Sequence, residues 1–229
     1  MGVDKMDIKP DRIIRTKRKT IALQITEEGK LIVKAPIDVD DKTIERIILK
    51  RKAWIERNIE RIKRRDPKPS KREFVNGEGF LYLGRYYRLQ IVENQEMPLK
   101  LEDRFFYLSK SALANAKEVF IKWYKEKAYE KISERVEFYA RIAGLKYNKV
   151  NITDAEKRWG SCSQKGNLNF SWRLIMAPLR VIDYVVVHEL CHLEIKNHSK
   201  AFWIKVKTLM PDYKDCDTWL KEFGYLLRL

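Results

Sequence analysis

Apolar and polar positions change their period several times along the chain, and each change predicts an element. Residues 12–15 and 20–25 read as strands, the second alternating Ile21, Leu23 and Ile25. The Thr26-Glu-Glu-Gly29 segment supplies a turn, residues 31–35 return as a partner strand, and Pro36 ends it. From about Asp41 the period becomes helical, with Ile44, Ile47, Ile48, Ile55, Ile59 and Ile62 on one stripe. Asp66-Pro-Lys-Pro-Ser70 then predicts a stiff linker. Alternation resumes at 80–83, 86–92, 99–102 and 105–108, which predicts short antiparallel strands with turns at Gly84-Arg85 and Asp103-Arg104.

The second half is more helical. An amphipathic helix is predicted over 113–143, capped by Ser111 and closed by Gly144, with Phe120, Trp123, Tyr124, Ile132, Val136, Tyr139 and Ala143 turned to a core. Strands follow at 149–154, 158–163 and 167–172, the last two joined by Gln164-Lys165-Gly166. A helix over 177–196 carries Pro178 in its first turn. Two shorter helices are expected at 200–210, stopped by Pro211, and at 217–227, with Trp219, Leu220 and Phe223 inward. The order of elements predicts an α+β protein. It divides into an N-terminal β-rich module with a basic helix over residues 1–110 and a second domain over 111–229.

Composition adds charge to this picture. The 229 residues carry a net charge of +16, with 45% hydrophobic residues, which is globular and strongly basic. Residues 50–72 hold eleven Lys and Arg against three acids. This run has two readings, a solvated helix face laced with i,i+4 pairs or a phosphate-binding surface for nucleic acid or nucleotides without sequence preference. No aromatic ladder or base-reading motif accompanies it. Gly77, Gly79 and Gly84 lack the spacing of a nucleotide-binding loop and read as turn glycines. Cys162, Cys191 and Cys216 form no C-x-x-C pair, which argues for a reducing compartment, and Cys191 reads as a packing residue. No apolar run approaches membrane-spanning length and the start lacks a signal-peptide core, so a cytoplasmic protein is expected.

The candidate chemistry lies in eleven residues, His188-Glu-Leu-Cys-His-Leu-Glu-Ile-Lys-Asn-His198, which contain all three histidines of the chain. His188 and His192 are one helical turn apart and can reach one ion from the same face. The pattern H-E-x-x-H supplies two zinc ligands and a glutamate between them that does not ligate. Glu189 follows His188 by about 100° of helix rotation, off the ligand face but close enough to take a proton from metal-bound water. His198 stands six residues beyond His192, about 9 Å further along a continuing helix. It joins the site only if the chain breaks after Glu194 or so. Asn197 can make the break in a left-handed conformation, and Ser199 can cap a new helix. Glu194, Asp212, Asp215 and Glu222 remain alternatives for the third ligand, since a carboxylate serves as well.

Several stretches resemble a known family when read together: Arg158-Trp-Gly-Ser-Cys-Ser163, Gly166-Asn-Leu-Asn-Phe-Ser-Trp-Arg-Leu174, Ala177-Pro178, Val187-His-Glu-Leu-Cys-His192 and Asn197-His-Ser-Lys-Ala-Phe-Trp203. This order is similar to that of the YgjP-like zinc metallopeptidases, themselves similar to SprT-like and WLM proteases. The resemblance implies a zincin-like core, an antiparallel sheet beside the H-E-x-x-H helix. It also implies His188, His192 and His198 as Zn²⁺ ligands and Glu189 as the catalytic glutamate. In such a core the sheet edge can take an extended peptide.

The expected activity is that of a zinc-dependent hydrolase, a metallopeptidase acting on polypeptide through a metal-bound water activated by Glu189. Two other readings stay open. One is a metal-dependent nucleoside triphosphate pyrophosphatase, and the other a nucleic-acid-associated protein with a structural metal site. Trp159 and Trp172 read as packing residues. Arg158 has two readings, stabilising negative charge on the substrate or forming a structural ion pair.

Overall fold

The computed structural model describes residues 8–26, 28–64 and 72–229. The linker expected at 66–70 and Glu27 of the expected turn lie outside the described residues. The chain forms two compact units, Met1–Lys68 and Pro69–Leu229. The sequence periodicity had suggested a division at 110/111 instead. The four strands between residues 79 and 109 belong to the second unit because their apolar faces share its core: Phe80 stacks on Phe120 at 4.3 Å, and Phe106 lies 5.2 Å from the same ring.

In the first unit β1 (Arg12–Thr16) and β2 (Ala22–Ile25) flank β3 (Leu31–Pro36), with β1 parallel to β3 and β2 antiparallel to it. The single helix expected from Asp41 is two, α1 (Asp41–Lys50) and α2 (Lys52–Lys63), separated at Arg51. Lys50-Arg51-Lys52 interrupts the apolar stripe, so no burial opposes a break there. Asp40 caps α1 by accepting from the Thr43 amide at 2.8 Å. Leu31, Val33, Ala35, Ile44, Ile48 and Ile55 form the core of this unit. On the basic face Lys52 pairs with Glu56 and Arg64 with Glu60, both at i,i+4.

The second unit opens with β4 (Gly79–Tyr82), β5 (Arg85–Val92), β6 (Leu99–Glu102) and β7 (Phe105–Ser109), ordered β4-β5-β7-β6. The expected all-antiparallel pairing holds for β4 with β5 and for β6 with β7, but β5 and β7 are parallel. A 3-10 turn (Lys110–Asn115) precedes α3 (Ala116–Ala143), so the helix starts later than the sequence suggested, and Ser111 bonds to Ser109 instead of capping it. Gly144 closes α3 in the left-handed conformation, as expected (φ 64°).

A second sheet, β8 (Lys149–Thr153), β10 (Asn167–Ser171) and β9 (Gly160–Cys162), lies in that spatial order. It is mixed, with β10 parallel to β8 and antiparallel to the edge strand β9, where the family resemblance had implied an antiparallel sheet. Three helices follow, α4 (Leu179–Cys191), α5 (Lys200–Leu209) and α6 (Tyr213–Phe223). Helix α6 begins and ends four residues before the expected span of 217–227, and Phe223, expected inward, is exposed. No helix among the described residues is long and apolar enough to cross a membrane.

Two contacts fix α4. The hairpin tip between β4 and β5 donates from the Leu83 and Gly84 amides to the Ile175 and Met176 carbonyls, at 2.9 and 3.0 Å. Gly84 needs its positive φ of 78°, and a Cβ there would lie 2.8 Å from Pro178 Cγ. On α4 itself, Asp183 is only 4% exposed and accepts twice from Arg135 of α3, at 2.6 and 3.0 Å, and once from Tyr139 at 3.2 Å. Removing one partner of such a buried pair leaves an uncompensated charge. Asp183→Ala is therefore expected to lower unfolding stability by about 3 kcal/mol, read as a lower urea midpoint. An unchanged midpoint would show that the pair does not hold α4 in place.

Candidate metal centre

Helix α4 is almost wholly buried, which brings His188 and Glu189 to its last turn inside the unit. The helix ends at Cys191, well before the expected residue 196, and His192 is its cap. Cys191 is fully buried in the core, away from any ligand role. The chain then leaves the helix axis through short-range bonds, Leu193 to Leu190 and Ile195 to Cys191. Asn197 was expected to take a left-handed conformation there. Its φ is not positive, and its side chain instead accepts from the Ser199 amide at 3.3 Å. Ser199 caps α5 by accepting from the Phe202 amide, as expected. The result returns His198 to His188 and His192.

The three Nε2 atoms converge. His198 Nε2 is 3.0 Å from His188 Nε2 and 3.2 Å from His192 Nε2. His192 Nδ1–H donates to the Ile195 carbonyl at 2.9 Å, which leaves its Nε2 bare. A single Nε2 on His198 cannot hold a proton toward one neighbour and a lone pair toward the other at the same time. Nitrogens bound about 2.05 Å from one tetrahedral ion would stand about 3.3 Å apart. The spacing and the bare Nε2 of His192 fit a metal such as zinc. Among the described residues these three histidines are the group of side chains able to share one ion. The carboxylates considered for third ligand are engaged or exposed: Glu194 pairs with Lys205, Asp212 pairs with Arg180, and Asp215 and Glu222 face solvent.

Burial, then the neighbouring imidazoles, lowers the pKa of His188 to about 4, so the ring is neutral at pH 7 and free to ligate. Burial likewise lowers that of His192. Aromatic rings fix the imidazole planes: Phe202 stacks on His192 at 4.5 Å and Trp203 on His198 at 5.7 Å. Both come from the first turn of α5, which explains why the cap at Ser199 matters to the site.

Glu189 is 6% exposed, and its Oε2 has no hydrogen-bond partner among the described residues. Burial pushes its carboxyl up to about 7, while the charge of Arg158 pulls the other way. Strand β9 backs this side chain. A Cβ on Gly160 would come within 2.6 Å of Glu189 Cγ and 2.7 Å of Oε1, so the carboxylate sits where only glycine leaves room. Nothing in the local pattern distinguishes this glycine from a turn or bulge glycine, and the sequence reading did not single it out. Arg158 is exposed and has no ion-pair partner among the described residues, so the structural ion pair considered for it does not form. Trp172 is buried and donates to Asp154 at 2.8 Å, a packing role as expected. Trp159 is half-buried and lines a cleft that opens beside His188 and Glu189.

A family model described as a YgjP-like metallopeptidase domain matches residues 19–223. The chain belongs to the YgjP-like metallopeptidase family. Family membership supports a metal-dependent hydrolase for this YgjP-like chain. No curated protein matches it in sequence. Among solved structures it is similar to the metallopeptidase zymogen of Pyrococcus abyssi abylysin, at 22% identity and a TM-score of 0.37, over 41% of this chain and 95% of that one.

The contact between Gly160 and Glu189 yields a test that needs no activity. Gly160→Ala is expected to lower stability by about 1–3 kcal/mol through overpacking. Glu189→Ala should remove most of that cost when the two are combined, giving a coupling of about 1 kcal/mol or more in urea unfolding. Costs that simply add would mean the strand does not crowd the carboxylate.

Proposed function

We propose that the YgjP-like chain is a zinc-dependent peptidase, with His188, His192 and His198 holding the ion and Glu189 handling protons. The observation that carries this reading is the convergence of three Nε2 atoms at 3.0 and 3.2 Å with a buried carboxyl on the adjoining residue. A zinc ion held there supplies Lewis acidity toward a scissile carbonyl and acidifies water at neutral pH. Glu189, with its pKa raised to about 7, can accept a proton at neutral pH and return it to a leaving amine. Gly160 leaves the space in which that carboxyl sits, and the edge position of β9 leaves one side of the strand without a partner strand among the described residues, open to an extended substrate. Arg158, whose charge acts on Glu189 and which has no ion-pair partner among the described residues, adds a cation suited to a substrate oxygen gaining charge.

The cleft favours a peptide over a nucleoside triphosphate. Its walls include Trp159, Val185 and Leu220, and its one lysine is paired with Asp217. A triphosphate would call for several uncompensated cations. On the first unit the i,i+4 pairs of α2 favour a solvated helix face over a phosphate-binding one. The zincin-like arrangement is, on this proposal, confined to the second unit, since every residue invoked lies between Arg158 and Lys221.

Two measurements test the proposal. Purified protein is expected to hold one zinc per chain, and His198→Ala to lose most of it on dialysis. Full retention in the variant would move the third ligand elsewhere. Glu189→Gln is expected to keep its zinc while casein hydrolysis falls by about 10²–10⁴. Wild-type turnover in that variant would remove Glu189 from the mechanism.

A further inference from the structure

The cleft beside His188 and Glu189 has a volume of about 300 Å³. That is at the small end for ligand pockets, enough for one substrate side chain and its flanking backbone. Trp159, Val185 and Leu220 form apolar walls. The Trp159 wall is fixed from behind, because its Cζ2 lies against Gly224, where a Cβ would stand only 2.9 Å away.

Besides Glu189, the cleft is lined by one acid and one lysine, Asp217 and Lys221, one turn apart on α6 and paired with each other. The Tyr184 hydroxyl also donates to Asp217, at 3.4 Å. Side-chain exposures of 33% for Asp217 and 58% for Lys221 leave the pair within reach of a ligand. With Lys221 in place the cleft offers no uncompensated acid on α6. A cationic side chain entering it would be desolvated with no free partner on α6, whereas an apolar one would be buried against three apolar walls. Without Lys221 the same cleft would present an acid held by a tyrosine, the arrangement that selects lysine or arginine.

We propose that this cleft seats one bulky uncharged side chain of the polypeptide substrate beside the bond to be cut, and that Lys221 sets this preference by cancelling the charge of Asp217. The proposal rests on the peptidase reading above for its ligand. It assigns Lys221 a specificity role and no part in bond breaking. The pair is an exposed i,i+4 contact, so its removal is not expected to unfold the helix.

The test is calorimetric titration of zinc-loaded protein with phenylalanine hydroxamate and with lysine hydroxamate, which share the metal-binding group and differ in side chain. Wild type is expected to bind the phenylalanine probe about tenfold tighter or more, the order expected from burying one apolar side chain. In Lys221→Ala the ratio should shift toward the lysine probe by about tenfold. Lys221→Arg should keep the wild-type ratio, and Lys221→Ala combined with Asp217→Asn should restore it. An unchanged ratio in Lys221→Ala, or failure of wild type to bind either probe, overturns the proposal. Casein hydrolysis by wild type and Glu189→Gln, run alongside, separates the two readings. The expected shift in ratio without casein cleavage would uphold the cleft assignment and refute the peptidase, while Glu189-dependent cleavage without discrimination would refute the cleft assignment alone.

Discussion

Three imidazole nitrogens that face one another could share one cation, and the second unit of the fold brings them together. His198 Nε2 lies within hydrogen-bonding distance of two other Nε2 atoms, and one of these, on His192, is bare because its Nδ1 proton is committed to the Ile195 carbonyl. Ring stacking by Phe202 and Trp203 prevents the imidazoles from turning away. A positive ion can take a lone pair from each of the three Nε2 atoms at once, which a single shared proton does less well.

Holding that geometry falls to elements distant in sequence. Helix α4 must be stationary, and it is tied to α3 by the buried Asp183 with Arg135 and Tyr139, and at its start by the Gly84 turn pressed against Pro178. Strand β9 then approaches α4 so closely that Gly160 leaves the Glu189 carboxylate just enough room. Burial makes that carboxyl harder to ionise, and the same close packing keeps hydrogen-bond donors away from its Oε2. Packing and proton affinity at this residue therefore have one origin.

Much of the geometry of the candidate site was legible in the sequence because it is local. Two histidines one turn apart, a glutamate between them and a serine cap after the third histidine all follow from helix geometry. The way the chain breaks was less legible: Asn197 uses its side chain and not its backbone, because accepting from the Ser199 amide already supplies the turn. Strand direction was not legible, since alternation of side chains is the same in parallel and antiparallel pairs. That is why β5 with β7 and β8 with β10 ran against expectation. The extent of the first unit was misjudged for a related reason. Phe80 and Phe106 look like any half-buried strand residues until Phe120 is seen packed against them. Gly160 and the Asp217–Lys221 pair belong to the same class, ordinary in sequence and placed at the site only by tertiary structure.

On the proposed reading one ion is held by three nitrogens of His188, His192 and His198 with no sulfur. X-ray absorption at the zinc edge of the loaded protein tests it most directly. The expected spectrum has a first shell of three nitrogens and one further light atom at about 2.0–2.1 Å, with outer-shell scattering from imidazole rings. A sulfur shell near 2.3 Å, or a spectrum of fully hydrated zinc, would contradict it.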